Sequence, residues 1–194
     1  MNKNIEHYIF KKENFLDQKD CNNYIKELNV NDWTKHDWYY PDTGLLKKPS
    51  GNNEPENIQS KDFSDKVATI NQVIIKKLQS AILEYVQSLN FNWYEGWNGY
   101  SGLKFIRYQP NQTMKNHCDH IHSLFDGETR GVPILSIIGV LNDDYEGGEL
   151  IMLEDKKIDT KAGELLIFPS NFLYPHKITP VTKGVRYSYV SWVW

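Results

Sequence analysis

Long apolar runs are missing from this sequence. Nowhere do apolar residues continue for the roughly 20 positions that a bilayer-crossing helix needs, so no membrane partner is expected. The N-terminal stretch MNKNIEHYIFKKENF is charged throughout. With no apolar h-region it does not read as a signal peptide. A basic excess is missing as well: 22 Lys and Arg stand against 25 Asp and Glu, for a net charge of -3. Without a basic stripe, nucleic acid is disfavoured as the direct partner. Cysteine is scarce. Cys21 and Cys118 lie far apart and form neither a zinc nor a redox spacing, which suggests two reduced thiols. The expectation is a soluble, cytoplasmic protein, and the Lys- and Asn-rich usage points to a bacterial cell or a virus-infected host cell. Arginine is scarcer still relative to lysine: only Arg107, Arg130 and Arg186. Each therefore marks a place where a planar, five-donor fork is needed rather than a point charge. No feature of the sequence sets an oligomeric state.

What is present suits one domain over residues 1–194 with a core of its own: 40% apolar and 13% aromatic residues. HYIFK reads as a short strand. A helix follows, with Asp17 as N-cap and Cys21, Tyr24, Ile25 and Leu28 at helical spacing. Residues 40–60, rich in Pro, Gly, Asn and Ser, read as a loop or lid. Residues 64–90 predict a core-facing helix through Val67, Ile70, Ile74, Leu78, Ile82, Tyr85 and Leu89. Helical support thus spans about 14–90. After residue 100 come short segments rich in β-branched and aromatic residues: SGLKFIRY, TMKNHCDHI, VPILSIIGVL, GELIMLE, KKIDT, GELLIFP, HKITPV and VRYSYVSWVW. These predict a β sandwich or barrel over about 100–194, buttressed by the helices. Gly147 and Gly148 read as a hairpin turn. Gly163 and Pro169 read as structural, and Pro175 as fixing the backbone before His176.

His117-Cys118-Asp119 lies in a predicted strand, where positions i and i+2 face the same way. His117 and Asp119 should converge, while His120 and His122 have the other parity and should face away. His176 follows 57 residues after Asp119. Two imidazoles and a carboxylate make the facial triad of an octahedral Fe(II) with three open positions. Those positions suit a chelating co-substrate and O2. A bulged HCDHIH zinc cluster with Cys118 is the alternative, although no second cysteine follows to close a tetrahedral site. Ten residues after His176 comes Arg186, sharing a strand face with Ser188, Val190 and Trp192. A guanidinium and a hydroxyl two residues apart form a ready carboxylate site. Pairing of Arg186 with a protein carboxylate is the competing reading.

Four stretches resemble the prolyl-4-hydroxylase-like 2-oxoglutarate oxygenases: YQPNQTMKNHCD, with Tyr108 nine residues before His117; LNDDYEGGELIM; GELLIFPS; and HKITPVTKGVRYSYVSW. The N-terminal NFLDQKDCNNYIKEL is similar to that family's opening helix. The resemblance implies a mainly β fold with supporting α-helices, built on a double-stranded β-helix (jelly-roll) core. It implies Fe(II) on His117, Asp119 and His176. The 2-oxoglutarate co-substrate would be held by Arg186 with Ser188 and Tyr108, O2 would be consumed, and ascorbate would act as reductant. Val140 stands where several prolyl hydroxylases carry a tyrosine, leaving Tyr108 or Ser188 as the second donor to the distal carboxylate. Trp192 falls at a pocket-lining tryptophan of the family, and Arg130, in SLFDGETRG, is a second candidate for the substrate pocket. The implied reaction hydroxylates a prolyl residue of a peptide or protein with release of succinate and CO2. The same chemistry on a free amino acid or other small molecule, or a jelly-roll metal-binding module without turnover, are the alternatives. A structural or partner-binding protein with a histidine-rich zinc site is a third.

Overall fold

The computed structural model describes residues 4–30, 32–40, 45–47, 55–62, 68–91, 94, 96–119 and 133–194. The chain begins differently from the strand expected of HYIFK. Ile5–Tyr8 forms a 3₁₀ turn, because the Asn4 side chain accepts the Glu6 N–H and caps it. Only Phe10–Lys12 is a strand, β1. Helix α1 (Gln18–Val30) starts where the sequence places it. Asp17 Oδ1 accepts the Asp20 N–H at 2.7 Å, a cap worth about 1 kcal/mol. Cys21, Tyr24 and Leu28 turn inward. Helix α2 (Ala68–Leu89) buries Ile70, Ile74, Leu78, Ile82, Tyr85 and Leu89 along the predicted stripe; Val67 lies outside the described residues. Each fully buried side chain of this kind contributes roughly 1.5–3 kcal/mol.

The expected loop at 40–60 holds more order than its composition suggests. Strands β2 (Thr34–Lys35) and β3 (Trp38–Tyr40) precede it. Within it, β4 (Leu45–Lys47) pairs antiparallel with β3. At its end β5 (Gln59–Lys61) joins the main sheet. Gln-Ser-Lys is a poor strand signal. Its extended state comes from antiparallel pairing with the next strand, an example of context outweighing propensity.

Ten further strands follow: β6 (Lys104–Tyr108), β7 (Met114–His117), β8 (Leu135–Val140), β9 (Glu146–Gly147), β10 (Leu150–Met152), β11 (Lys156–Ile158), β12 (Leu165–Pro169), β13 (His176–Ile178), β14 (Val181–Lys183) and β15 (Arg186–Val193). The segment HKITPV splits between β13 and β14, which belong to different sheets. Gly147 is not in a hairpin turn as expected, but in β9, paired to β14. Gly163 stands in the turn before β12.

A seven-stranded sheet has the order β1-β12-β8-β15-β6-β5-β2, and a four-stranded sheet the order β11-β10-β13-β7. All their pairings are antiparallel. Between the two sheets lies one apolar cluster, including Ile106, Ile138, Leu166 and Phe168 from the large sheet and Met114, Leu150, Met152 and Ile178 from the small one. The other face of the large sheet, through Phe105, Leu135, Ile137, Leu165, Ile167 and Tyr189, packs with the buried stripes of α1 and α2. This is the jelly-roll core expected from the sequence, with its helices on one outer face. Strand alternation explains the division: neighbours Phe105 and Ile106, or Ile137 and Ile138, serve opposite layers.

Candidate active site

The inner layer opens into a cavity lined by groups from both sheets. Cross-strand register assembles it. His176 is the direct partner of His117 in the β13–β7 pair, and their ring centroids lie 4.3 Å apart. Asp119 arrives differently from the expectation. Strand β7 ends at His117, so regular i, i+2 alternation does not bring Asp119 in. The chain beyond the strand does, and it sets Asp119 Oδ1 3.4 Å from His117 Nε2 and 3.8 Å from His176 Nε2. One ligand atom from each of the three residues lies within 4.8 Å of the others. Ligands cis to one another around an ion at about 2.1 Å stand about 3 Å apart, so small shifts bring these atoms onto a common ion.

The protonation pattern fits the same use. His117 Nδ1 faces the Lys115 carbonyl at 2.8 Å, and His176 Nδ1 faces the Tyr174 carbonyl at 3.2 Å. A carbonyl only accepts, so each Nδ1 carries a proton, which leaves Nε2, on the Asp119 side, as the nitrogen of each ring that can bind a metal. Burial pulls the basicity of both rings down. At His117 the Asp119 hydrogen bond and charge overcome it, whereas at His176 burial prevails. Burial raises the Asp119 carboxyl, but the His117 hydrogen bond, the charge of both histidines and a Ser136 hydrogen bond together hold it well below the usual carboxylate range. Ser136 Oγ donates to Asp119 Oδ2 at 2.6 Å, and Ser170 Oγ lies 2.7 Å from Ser136 Oγ. Because the Ser136 proton is committed to the carboxylate, Ser170 is the donor in that second bond. This relay fixes the Asp119 rotamer.

Arg186 lies in the same cavity and is 1% exposed. Its Nη1 donates to Ser188 Oγ at 2.8 Å, while Nε and Nη2 have no hydrogen-bond partner. The protein carboxylate considered as its counter-ion is not found among the described residues. Tyr108, its register partner, lays its ring 5.2 Å from the guanidinium. The Tyr108 hydroxyl reaches Met114 Sδ at 3.8 Å, and burial pushes it up to about 12. Gly148 makes room for the arginine stem: at φ +59 it carries no Cβ, and one would lie 3.2 Å from Arg186 Cδ. The sequence reading gave Gly148 no part in the site. Ser188 and Val140 are cross-strand partners, so a tyrosine at position 140 would rise beside Ser188.

Trp192 and Val190 line the cavity on the face shared with Arg186 and Ser188. Arg130, His120 and His122 lie outside the described residues, as does the loop around Arg130. Three contributors were missed. Ser136 and Ser170 have no sequence signal, because Ser136 acts only by meeting Asp119 and Ser170 only by meeting Ser136. His36, between β2 and β3, lines the cavity from the N-terminal part of the chain. It is a lone histidine in no motif. Burial above all, then Lys104 and His117, pulls its pKa down to about 3.

A buried guanidinium with two unmet donors beside a His-Asp-His cluster calls for an anion next to a metal. Residues 103–194 match the family model described as the 2OG-Fe(II) oxygenase superfamily. The match takes in 92 of the 194 residues and contains His117, Asp119, His176 and Arg186. Likeness to known proteins extends beyond this segment. A PKHD-type hydroxylase of Alteromonas mediterranea is 33% identical over 95 residues, covering 46% of this chain and 41% of that protein. One from Shewanella sp. is 27% identical over 185 residues, covering 93% and 75%. The chain thus spans less than half the length of the Alteromonas relative. Among solved structures, a viral collagen prolyl hydroxylase from Paramecium bursaria Chlorella virus-1 superposes with a TM-score of 0.66 at 18% identity, covering 96% of this chain and 94% of that one. A Trichoplax adhaerens prolyl hydroxylase in complex with a hypoxia inducible factor peptide fragment does so with 0.66 at 18% identity, covering 96% and 83%. These structural likenesses show the oxygenase fold.

Proposed function

We propose that this chain is an Fe(II)- and 2-oxoglutarate-dependent dioxygenase that hydroxylates a prolyl residue in a peptide or protein, with release of succinate and CO2. The observation that carries this reading is Arg186, a buried cation whose Nε and Nη2 lack partners in the cavity that holds His117, Asp119 and His176. A dicarboxylate bound to an iron at the cluster answers both needs. When bound, the iron and its co-substrate supply O2-driven oxidation of an unactivated C–H bond.

The residues of the chain set the conditions for that chemistry. His117 and His176 present Nε2, and Asp119 an oxygen, from three points fixed by hydrogen bonds. Arg186 takes the distal carboxylate in a fork, and Ser188 holds its third nitrogen in place. The Tyr108 ring covers the guanidinium and keeps water off it. Ile106, Ile138, Ile178 and Val190 make the remaining wall apolar, which strengthens the charge pairing inside. A peptide substrate is supported by the peptide complex of the Trichoplax structure and by the likeness to a viral collagen prolyl hydroxylase.

Anaerobic titration with Fe(II) and 2-oxoglutarate tests the reading. A weak visible charge-transfer band should form with the wild type and vanish in His176→Ala. No band with wild type, or a band that survives the substitution, overturns it. Succinate formed under O2 then separates an enzyme from a silent metal-binding module. Proline-containing peptides screened for the mass of one added oxygen test the substrate class.

A further inference from the structure

His36 is the one cavity-lining side chain of the described residues that the oxygenase reading leaves without a task. Its backbone and its ring are each held by a neighbour. The backbone N–H of His36 donates to the Ile58 carbonyl at 3.0 Å. Trp38 meets the imidazole edge-on, with centroids 5.2 Å apart and planes at 87°. Trp38 is itself tied, its Nε1 donating to the Glu56 carbonyl at 2.9 Å. In this fixed ring Nδ1 is buried and has no hydrogen-bond partner. A buried polar atom without a partner costs roughly 1–3 kcal/mol, so a ring locked in this state points to a ligand that satisfies it. Burial also keeps the imidazole uncharged, which makes it a neutral hydrogen-bonding group.

The charge inventory of the cavity selects that ligand. Among its described lining residues the only carboxylate is Asp119 and the only arginine or lysine is Arg186. Both are committed to the metal and the co-substrate. No described charge remains to meet the ammonium and carboxylate of a free amino acid. An amide is neutral and offers both a donor and an acceptor, so Nδ1 can match it in either tautomer.

We propose that His36 orients the substrate by a hydrogen bond between its Nδ1 and an amide of a peptide chain. This makes His36 a specificity determinant for peptidyl over free amino-acid substrates. It rests on the proposed dioxygenase reading and extends it to a residue outside the ligand set.

The test uses the full chain with Mn(II) and 2-oxoglutarate, which allows binding without turnover, and two probes: an N-acetylated, C-amidated proline-rich peptide and free L-proline. Calorimetry should show the blocked peptide binding and free proline failing to compete. The His36 Nδ1 resonance, followed by nitrogen NMR, should shift on addition of the peptide. His36→Phe, which keeps a ring but removes the nitrogen, should weaken the peptide about ten-fold. His36→Asn, with an amide near the Nδ1 position, should recover most of that loss. The affinity for 2-oxoglutarate should be unchanged in both variants. Peptide affinity unchanged in His36→Phe, an unmoved Nδ1 resonance, no peptide binding at all, or equal binding of free proline overturns the assignment of His36. Failure of the wild type to bind 2-oxoglutarate is a separate result, and it overturns the dioxygenase reading on which the assignment stands.

Discussion

Arg186 is fully buried with two of its three nitrogens unmatched, so in the ligand-free protein it opposes folding. A co-substrate that satisfies it should stabilise the folded state by mass action: about 2.7 kcal/mol at a concentration 100-fold above its Kd. For a chain of this size that corresponds to about 5–10 °C in melting temperature. Anaerobic calorimetry with Fe(II) should show this rise in wild type. Arg186→Met should melt no lower than wild type without ligand and should lose most of the rise. An undiminished rise in Arg186→Met would move the anion site elsewhere. Residue type and spacing led to His117, Asp119, His176 and Arg186 as candidates, and all four line one cavity. Ser136, Ser170 and His36 were not legible in the sequence, since each matters only through a neighbour from a distant part of the chain. Parity selected Asp119 for a reason the structure does not support, because β7 stops two residues short of it.

At the scale of elements, the strands after residue 100 were readable from β-branched and aromatic runs, and α1 and α2 from their cap and stripe. β5 was not, because Gln59, Ser60 and Lys61 become a strand only by pairing with β6. Central β8 shows how tightly the pairing is built. Its Gly139 lies opposite Tyr189 of β15, and a Cβ there would sit 1.9 Å from the tyrosine ring. Both strands are central to the large sheet, so the ring cannot swing into solvent. Gly139→Ala should therefore destabilise the fold by about 1–3 kcal/mol, measured by urea unfolding, and Tyr189→Leu in the same chain should restore part of it. Stability equal to wild type in Gly139→Ala would show that this pair packs differently.

For the whole molecule, the order of elements carried the architecture: helices first, strands after, hence helices on one outer face of a sandwich. What that order did not show was which sheet faces the helices and which bears the site. The seven-stranded sheet is clamped between the helical layer and the inner core. Among the described residues the four-stranded sheet ends at β7, which pairs there with β13. The histidine pair His117 and His176 spans that last seam. An ion there would act as a rivet, fastening β7 to β13 across their shared seam. Removing it with a chelator should speed deuterium uptake at the amides of residues 114–117 and leave β8 and β15 slow. Uniform protection with and without metal would mean that the seam holds by itself. The centre proposed for chemistry would then also be a fastener of the fold, and iron supply would set how firmly that seam stays closed.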